Sequence, residues 1–243
     1  MIFDAHNHIG FRKGLEYPVE KLIGEMDAAN IDRAVVFSFP EQIDNDYVAE
    51  SVKRFSDRLV GFAQVNPWSQ DAELVLKRCV EDLGLKGLKL HPVRHGYAFD
   101  NHTILDPIFS LCERYSIPVL AYGGANVLSS PNMFEEMAQT FPSVNFILAH
   151  GGQMYETRSA IGVAKRRPNV YIETSAMFAN RVESLYKEVG PEKIVMGTDK
   201  PYGDFAIELE KIQLVIAEPE VRERITCHNL RKLLGEKVMN YDY

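Results

Sequence analysis

Short apolar runs alternate with longer amphipathic stretches along the whole chain. Eight runs rich in β-branched and aliphatic residues are each followed by a stretch whose apolar positions recur with helical spacing. This pattern predicts eight strands, each followed by a helix, and a last helix over 221–235. The predicted strands are residues 2–5, 33–40, 59–67, 85–92, 117–124, 144–152, 169–176 and 193–201.

The strand pattern also predicts the fold. Runs such as 33–39 and 145–149 are almost continuously apolar, which is typical of parallel strands covered on both faces. Eight strand–helix units in 243 residues favour a closed (β/α)8 barrel, which commonly fills about 250 residues, over an open doubly wound sheet. We therefore predict an α/β protein with one TIM-barrel domain over 1–243 and a C-terminal helix. The longest predicted loop is 93–105, after strand four.

Composition and charge limit the classes of partner. The formal net charge is −7, from 34 acidic and 27 basic residues, which argues against binding to nucleic acid or to anionic membranes. Cys79, Cys112 and Cys227 are isolated, so we expect neither a disulfide framework nor a thiolate zinc site. The first residues, MIFDAH, lack the features of a secretory signal. We expect a cytoplasmic protein that acts on a small molecule, with exposed barrel helices of the kind that support homodimers.

Polar side chains with metal-binding or catalytic chemistry stand at the ends of several predicted strands. The carboxyl ends of barrel strands meet at one mouth, and side chains two residues apart in a strand point the same way. A single histidine at a strand end is usually a polar loop residue, but that interpretation weakens as such positions accumulate. Neutral imidazoles with a carboxylate suit zinc and similar ions, so we predict one divalent metal ion, zinc first and manganese second. The residues are His6, His8, Lys89, His91, His150 and Asp199.

Four motifs resemble those of the amidohydrolase superfamily, in the branch called amidohydrolase-related or amidohydrolase 2. They are DAHNHIG at 4–10, GLKLHP at 87–92, ILAHGG at 147–152 and GTDKPYGD at 197–204. The HxH pair alone is weakly specific, but the four motifs in barrel order are specific, and the resemblance covers nearly the whole chain. The superfamily contains metal-dependent hydrolases of cyclic amides and esters, nonoxidative decarboxylases and hydratases of small carboxylic acids, and a metal-independent lactonase group.

The resemblance implies roles for the matched positions. His6 and His8 match the first metal-binding pair of the family. Asp199 matches a metal ligand that also shuttles a proton, and His150 matches a histidine that binds metal or polarises water or substrate. Lys89 lies near the position where some relatives carry a carbamylated lysine between two metals, although its GLKLHP context fits the one-metal branch better.

One position departs from the family pattern. Tyr122, in PVLAYGG, stands where relatives end strand five in a histidine ligand. Three interpretations stay open: Tyr122 binds the metal as a phenolate, His91, Lys89 or His150 supplies the missing ligand, or the site is metal-free and Tyr122 binds substrate. A phenol with a pKa near ~10 is a poor ligand at neutral pH. We favour a metal site completed by His91, whose strand is next to that of Tyr122.

Further residues at the predicted mouth are candidates for contact with substrate. Arg94, in the loop after strand four, suits bidentate pairing with a carboxylate. Glu173 ends strand seven and either contacts the site or hydrogen-bonds a ligand histidine. The glycine pairs at 123–124 and 151–152 are expected at close backbone approaches at the mouth, where a larger residue would block a ligand. The predicted substrate-binding set is Tyr122, Lys89, Arg94 and Glu173.

These residues predict a metal-dependent hydrolase of a small cyclic or carboxylate-bearing amide or ester. In this prediction Asp199 accepts the proton of an activated water and His150 stabilises the developing oxyanion. The first alternative is a nonoxidative decarboxylase or hydratase that uses the same site, since one barrel fold hosts many reactions. The second alternative, supported by Tyr122, is a metal-free lactonase-like enzyme or a barrel that only binds a small molecule.

Overall fold

The computed structural model describes residues 1–124 and 127–236 of the chain. Within them, all eight predicted strands are present, and the third is interrupted at Phe62. A short antiparallel hairpin, absent from the prediction, follows the first strand. The strands are β1 (Phe3–His8), β2 (Gly10–Arg12), β3 (Leu15–Tyr17), β4 (Arg33–Phe37), β5 (Leu59–Gly61), β6 (Ala63–Gln64), β7 (Leu88–Leu90), β8 (Val119–Tyr122), β9 (Phe146–Ala149), β10 (Val170–Glu173) and β11 (Ile194–Val195).

The eight main strands form parallel pairs in chain order. One sheet has the order β1-β4-β5 and the other the order β11-β10-β9-β8-β7-β6. Phe62 N bonds Val36 O at 2.9 Å, where the chain passes from the first sheet to the second. At the other edge, Ala5 N bonds Met196 O at 3.0 Å and His8 N bonds Lys200 O at 2.8 Å. Hydrogen bonds therefore connect the first strand to the last, as in the predicted TIM barrel.

Helices follow the strands and cover the outside of the barrel. In the part of the chain that the structure describes, none is long and apolar enough to cross a membrane. The α-helices are α1 (Val19–Ala29), α2 (Asn45–Arg54), α3 (Ala72–Glu81), α4 (Pro92–His95), α5 (His102–Tyr115), α6 (Pro131–Thr140), α7 (Thr157–Arg166), α8 (Ala179–Val189), α9 (Phe205–Val215), α10 (Pro219–Glu223) and α11 (Asn229–Leu233). Single turns of 3-10 helix lie at His150–Gly152 and Pro191–Lys193, and a π-helical turn at Arg224–His228 joins α10 to α11.

The predicted long loop at 93–105 is more ordered than the sequence pattern indicates. It contains the one-turn helix α4 and the first turn of α5, which begins at His102 rather than near residue 106. Pro92 supplies a helical φ at the first position of α4, and the His91 side chain accepts a hydrogen bond from Arg94 N. These two effects fold the start of the loop back over the mouth of the barrel.

Two apolar clusters stabilise the barrel. The larger cluster lies between the strands and the helices, and a smaller one fills the barrel interior and contacts the C-terminal helix through Leu230 and Leu233. In β8, Val119 and Ala121 belong to the outer cluster and Leu120 to the inner one. The period of two therefore places Tyr122 on the inner side, directly above the apolar interior.

Candidate metal centre and active site

A cavity of about 180 Å³ opens at the carboxyl ends of the strands. It brings together every residue predicted for the site except Glu173, which is fully buried next to it. The cavity also exposes three residues that the sequence did not indicate: Pro40, Glu41 and Tyr202. Its lining residues are His6, His8, Pro40, Glu41, Lys89, His91, Arg94, Tyr122, His150, Asp199 and Tyr202.

Hydrogen bonds between β1 and the segment after β11 place Asp199 beside the histidines. Thr198 N and Thr198 Oγ1 donate to the buried Asp4 carboxyl group at 3.1 and 2.5 Å, and His6 N donates to the same group at 2.8 Å. Burial, only partly offset by these donors, raises the pKa of Asp4 to about 7. Asp199 itself has a left-handed backbone with φ of 59°. The Asp4–Thr198 contact therefore fixes where Asp199 enters the cavity.

Contacts on the side away from the cavity determine that Nδ1 of His6 and of His8 carries a hydrogen. His8 Nδ1 lies 2.9 Å from Ser38 O, and a backbone carbonyl oxygen can only accept. His6 Nδ1 lies 3.0 Å from Glu173 Oε2, a carboxylate oxygen that likewise accepts. Burial is the main reason that the pKa of His6 lies well below its usual value. Both rings therefore carry a hydrogen on Nδ1 and turn Nε2 toward the cavity, and in the neutral His6 ring that nitrogen presents a lone pair.

The same arrangement extends to His150 through Ser175. Ser175 Oγ donates to Glu173 Oε2 at 2.8 Å, so its own lone pair accepts from His150 Nδ1 at 2.9 Å. Burial lowers the pKa of His150, which keeps the ring neutral. Glu173 thus orients two histidines, one directly and one through a serine. Ser38 and Ser175 were missed because nothing in their local sequence marks them as partners of distant histidines.

Three acceptor atoms face one another at the floor of the cavity. Asp199 Oδ1 lies 3.1 Å from His6 Nε2 and 3.6 Å from His8 Nε2. The neutral His6 ring carries its hydrogen on Nδ1, so no hydrogen of that ring lies between His6 Nε2 and the carboxylate. Two nitrogens and one oxygen in this arrangement fit a divalent cation.

A second group of potential ligands overlaps the first. Ligand atoms of His6, His150 and Glu173 also lie within 4.8 Å of one another. Glu173 is already engaged, however, because its carboxylate accepts from His6, Ser175 and the His150 amide. We therefore assign Glu173 to orientation of the histidines. His150 Nε2 is left as a further lone pair next to His6, with the two ring centroids 5.2 Å apart.

Lys89 lies beside the three acceptor atoms. Its Nζ is 2.9 Å from His6 Nε2 and 4.7 Å from the centre of the Phe37 ring, and the side chain is 1% exposed. Burial lowers the pKa of Lys89 to about 8. Among the described residues, no carboxylate forms an ion pair with it. Lys89 therefore places a hydrogen-bond donor at the floor of the cavity, next to the predicted metal ligands.

His91 and Tyr122 form one wall of the cavity. Their rings stack with centroids 4.6 Å apart and an angle of 11° between planes. His91 Nδ1 accepts from Arg94 N at 3.4 Å, so the neutral ring carries its hydrogen on Nε2, and burial lowers its pKa to about 2. Burial also raises the pKa of Tyr122. His91 does not belong to the ligand groups that histidines, cysteines and carboxylates form in the described part of the chain, and the roles of His91 and Tyr122 as metal ligands stay predictions.

The rim of the cavity carries charge of both signs. Arg94 Nε lies 3.1 Å from Glu41 Oε1, and Arg94 is more than half exposed. His95 Nε2 donates to Pro40 O at 2.9 Å, which attaches α4 to the loop after β4. Next to them, Tyr202 contacts the edge of the His8 ring. Arg94 therefore lies at the mouth, as predicted, but it already has one carboxylate partner within the chain.

The glycine pairs that the sequence predicted at close approaches lie at such approaches. A Cβ on Gly151 would lie 2.2 Å from Met177 Sδ, and one on Gly123 would lie 2.5 Å from Leu148 Cγ. A Cβ on Gly124 would lie 2.5 Å from the Tyr122 hydroxyl oxygen. The close approaches are to other side chains of the protein.

Comparison with known proteins identifies the family and the fold. The family model described as Amidohydrolase matches residues 4–235 of the chain. Among proteins with curated descriptions, none matches. A solved structure of an uncharacterised TIM-barrel protein from Bordetella bronchiseptica superposes with a TM-score of 0.83 at 19% identity, covering 96% of this chain and 98% of that one.

Two further solved structures carry names that describe a reaction. A dihydroxybenzoic acid decarboxylase from Polaromonas, with bound manganese and the inhibitor 2-nitroresorcinol, has a TM-score of 0.78 at 15% identity and covers 100% of this chain and 99% of its own. A probable 2-pyrone-4,6-dicarboxylic acid hydrolase from Acinetobacter baumannii, with citric acid bound, has a TM-score of 0.74 at 16% identity and covers 96% and 99%. At these identities the likeness shows the TIM-barrel fold.

Proposed function

The chain belongs to the amidohydrolase family, and we propose that it is a metal-dependent hydrolase of small, carboxylate-bearing cyclic esters or amides. Enzymes of hydrolase or decarboxylase type occur among the structures that share its fold. The metal would be one divalent ion, zinc first and manganese as the alternative. The substrate would be small, because the cavity has a volume of about 180 Å³.

One observation carries this proposal: His6 Nε2, His8 Nε2 and Asp199 Oδ1 converge, and both rings hold a hydrogen on the Nδ1 atom that is turned away from that point. Such an arrangement is unfavourable unless a cation lies among the three atoms, because like partial charges repel at these distances. Lys89 offsets part of this repulsion at His6. Imidazoles in fixed orientations and an ionised carboxylate are suitable ligands for zinc and manganese.

The residues around this point supply the other elements of a hydrolytic reaction. A divalent ion, when bound, would supply the Lewis acidity that activates water and polarises a carbonyl group. Asp199, ionised and 20% exposed to the cavity, accepts the proton of the attacking water and returns it to the leaving group. Lys89 lies at the cavity floor and donates to an oxygen on which negative charge develops.

Recognition of substrate would fall to the residues of the wall and the rim. The exposed guanidinium of Arg94 is placed to pair with a carboxylate that reaches the mouth. The stacked rings of His91 and Tyr122 provide a flat wall against which a ring-shaped substrate packs. These contacts favour a cyclic substrate with a carboxylate.

Nonoxidative decarboxylation is the second candidate function. Arg94 at the mouth favours a carboxylate substrate for either reaction, and a structure that shares the fold is a decarboxylase by name. Hydrolysis of a lactone releases a proton and no carbon dioxide, whereas decarboxylation releases carbon dioxide and consumes a proton. The two reactions can therefore be distinguished in one assay.

The test uses the purified chain, stripped with a chelator and reloaded with zinc or manganese. Small lactones, cyclic amides and hydroxybenzoates are each assayed for proton change and for carbon dioxide. We expect one bound metal per chain and proton release from a lactone, both lost in Asp199→Asn and kept in the exposed control Asp57→Asn. Carbon dioxide release without lactone hydrolysis would replace this proposal with the second candidate. Failure to bind zinc or manganese would overturn both.

A further inference from the structure

The phenol of Tyr122 is held in one position by its neighbours. His91 stacks on one face of its ring at 4.6 Å, and the His150 ring contacts it edge-on at 5.1 Å. Gly124 leaves space for the hydroxyl group, since a Cβ there would lie 2.5 Å from the phenol oxygen. These contacts leave the Tyr122 side chain little freedom to turn away from the cavity that it lines.

Gln153 makes the one hydrogen bond that the Tyr122 hydroxyl has within the described part of the chain. Gln153 Nε2 donates to the phenol oxygen at 3.0 Å. No sequence pattern indicates this contact, because the two residues are 31 positions apart and Gln153 follows the glycine pair of predicted strand six. No role in the site has so far been assigned to Gln153.

The backbone at Gln153 is in an unfavourable conformation. Its φ is 50° and its ψ is −133°, a combination that residues with a Cβ rarely adopt. Two hydrogen bonds hold it there: Gln153 N donates to His150 O at 2.6 Å, and Thr157 Oγ1 donates to Gln153 O at 2.8 Å. A non-glycine residue that keeps such a conformation beside a cavity indicates a function for its side chain.

The direction of the Gln153 contact determines what Tyr122 can do. A hydroxyl group has one hydrogen, and its oxygen here accepts from an amide that donates. The hydrogen of Tyr122 is then left to point elsewhere, and the described residues provide no acceptor for it. Since Tyr122 lines the cavity, a molecule that binds there is placed to supply the acceptor.

We propose that Gln153 is a positioning residue that makes Tyr122 a hydrogen-bond donor to a carbonyl or carboxylate oxygen of the bound substrate. Tyr122 thus has a role of its own in place of a metal ligand, and the metal content does not depend on it. The proposal rests on the proposed function only for the identity of the bound molecule. Its test is therefore a binding measurement that does not require turnover.

The experiment measures the affinity of the metal-loaded protein for acetate, malonate and benzoate by calorimetry, and it continues with the carboxylate that binds most tightly. Tyr122→Phe is expected to weaken binding about fivefold, the loss typical of one hydrogen bond. Gln153→Glu should cause the same loss of affinity. A carboxylate side chain only accepts hydrogen bonds, so the Tyr122 hydroxyl would donate to it instead of to the bound carboxylate. Gln153→Leu, which leaves that hydrogen free, should lose less than about twofold. The surface control Gln213→Glu should bind like the wild type.

A double mutant separates this effect from charge repulsion by the new glutamate. If Gln153 acts through Tyr122, adding Gln153→Glu to Tyr122→Phe causes no further loss of affinity. A loss that persists in the Tyr122→Phe background, wild-type affinity in Gln153→Glu, or the absence of carboxylate binding by the wild type would each overturn the proposal. A metal content reduced by Tyr122→Phe would also overturn it, because Tyr122 would then be a ligand.

Gln153→Gly gives an independent measure. Glycine adopts the observed backbone conformation without strain, so the melting temperature of the variant should rise by a few degrees while its carboxylate affinity, as in Gln153→Leu, falls less than about twofold. A purely structural role for Gln153 would move both quantities down together. Carboxylate binding that follows these expectations without any lactone hydrolysis would reject the proposed hydrolase function and keep the role of Gln153. Lactone hydrolysis together with carboxylate binding that none of the variants changes would reject the role of Gln153 and keep the proposed function.

Discussion

His6 Nδ1 lies 3.0 Å from Glu173 Oε2, and both side chains are shielded from solvent. The carboxylate at the end of β10 thereby fixes which nitrogen of a histidine in β1 carries the hydrogen. Through Ser175 the same carboxylate fixes the hydrogen of His150. The lone pairs that His6 and His150 turn toward the cavity thus depend on one buried acid that lies outside it.

Replacement of Glu173 by glutamine should lower the affinity for zinc or manganese by about 10- to 100-fold, the usual cost of losing the partner that orients a ligand histidine. Both oxygens of Glu173 accept, Oε2 from His6, Ser175 Oγ and the His150 amide and Oε1 from Ser175 N, so a glutamine must place its amide hydrogens at one of these acceptor positions. Competition with a chromogenic chelator measures the affinity. Ser175→Ala, which affects only His150 directly, should lose less, and the exposed control Glu210→Gln should lose nothing. Unchanged affinity in Glu173→Gln would contradict the assigned role.

Gly197 is required for the approach of β1, β10 and the segment after β11. A Cβ there would lie 2.5 Å from Glu173 Oε1 and 2.9 Å from His6 Cβ. Gly197→Ala should therefore destabilise the protein by about 1–3 kcal/mol and weaken metal binding at the same time. Urea unfolding and chelator competition measure the two effects. The control is Gly24→Ala in helix α1, where nothing lies within 4 Å of the new Cβ and a small gain in stability is expected.

The barrel could be predicted from the sequence because buried parallel strands are almost continuously apolar, and a strand such as Phe146–Ala149 is recognisable without context. The rim residues could be predicted for a related reason. Once strand order is known, the end of each strand has a known place in the barrel, so His6 and Asp199 could be brought together although 193 positions separate them. The hairpin β2–β3 was not predicted, because three-residue strands are too short to show a period.

The parts of the site that were missed depend on contacts that no local pattern encodes. The His6–Glu173 contact joins residues 167 positions apart, and the sequence predicted a hydrogen bond from a ligand histidine to Glu173 only as one alternative, without identifying the histidine. The role of Tyr122 could not be predicted without the position of His91. His91 was predicted to be a substitute ligand, and in the structure its ring stacks against Tyr122. Gln153 was overlooked for the same reason, since glutamine after two glycines has no local signature.

Glu208 gives the protein a stability that depends on pH. This side chain of α9 is 6% exposed, and burial raises its pKa from 4.5 to about 7 despite its contact with Lys211. Between these values the folded state holds a proton that the unfolded state has lost, so stability falls as pH rises through that window. Glu208→Gln removes this dependence. Relative to the wild type, it should gain about 2 kcal/mol between pH 5 and pH 8.

The measurement for Glu208 is urea unfolding of both proteins at pH 5, 6, 7 and 8. The difference between the two free energies of unfolding matters, because the variant also changes the side chain that contacts Lys211 at every pH. A difference that stays constant from pH 5 to pH 8 would show that Glu208 ionises in the folded state as it does in the unfolded one. Glu220→Gln, in an exposed part of α10, is the control for the loss of one negative charge.

Arg94 and Glu41 should have opposite effects on a carboxylate substrate. Arg94 Nε lies 3.1 Å from Glu41 Oε1 at the mouth of the cavity, so the substrate carboxylate competes with Glu41 for the guanidinium. Arg94→Met should raise KM about 5- to 10-fold with little change in kcat, because the lost contact binds ground state and transition state alike. Glu41→Gln should lower KM about twofold, since an amide is a weaker competitor and no longer repels the substrate. Both shifts should shrink at high salt, as expected for exposed charges. The surface control Arg114→Gln should leave KM unchanged. If KM changes in the same direction in Arg94→Met and Glu41→Gln, the pair stabilises the loop and does not bind substrate.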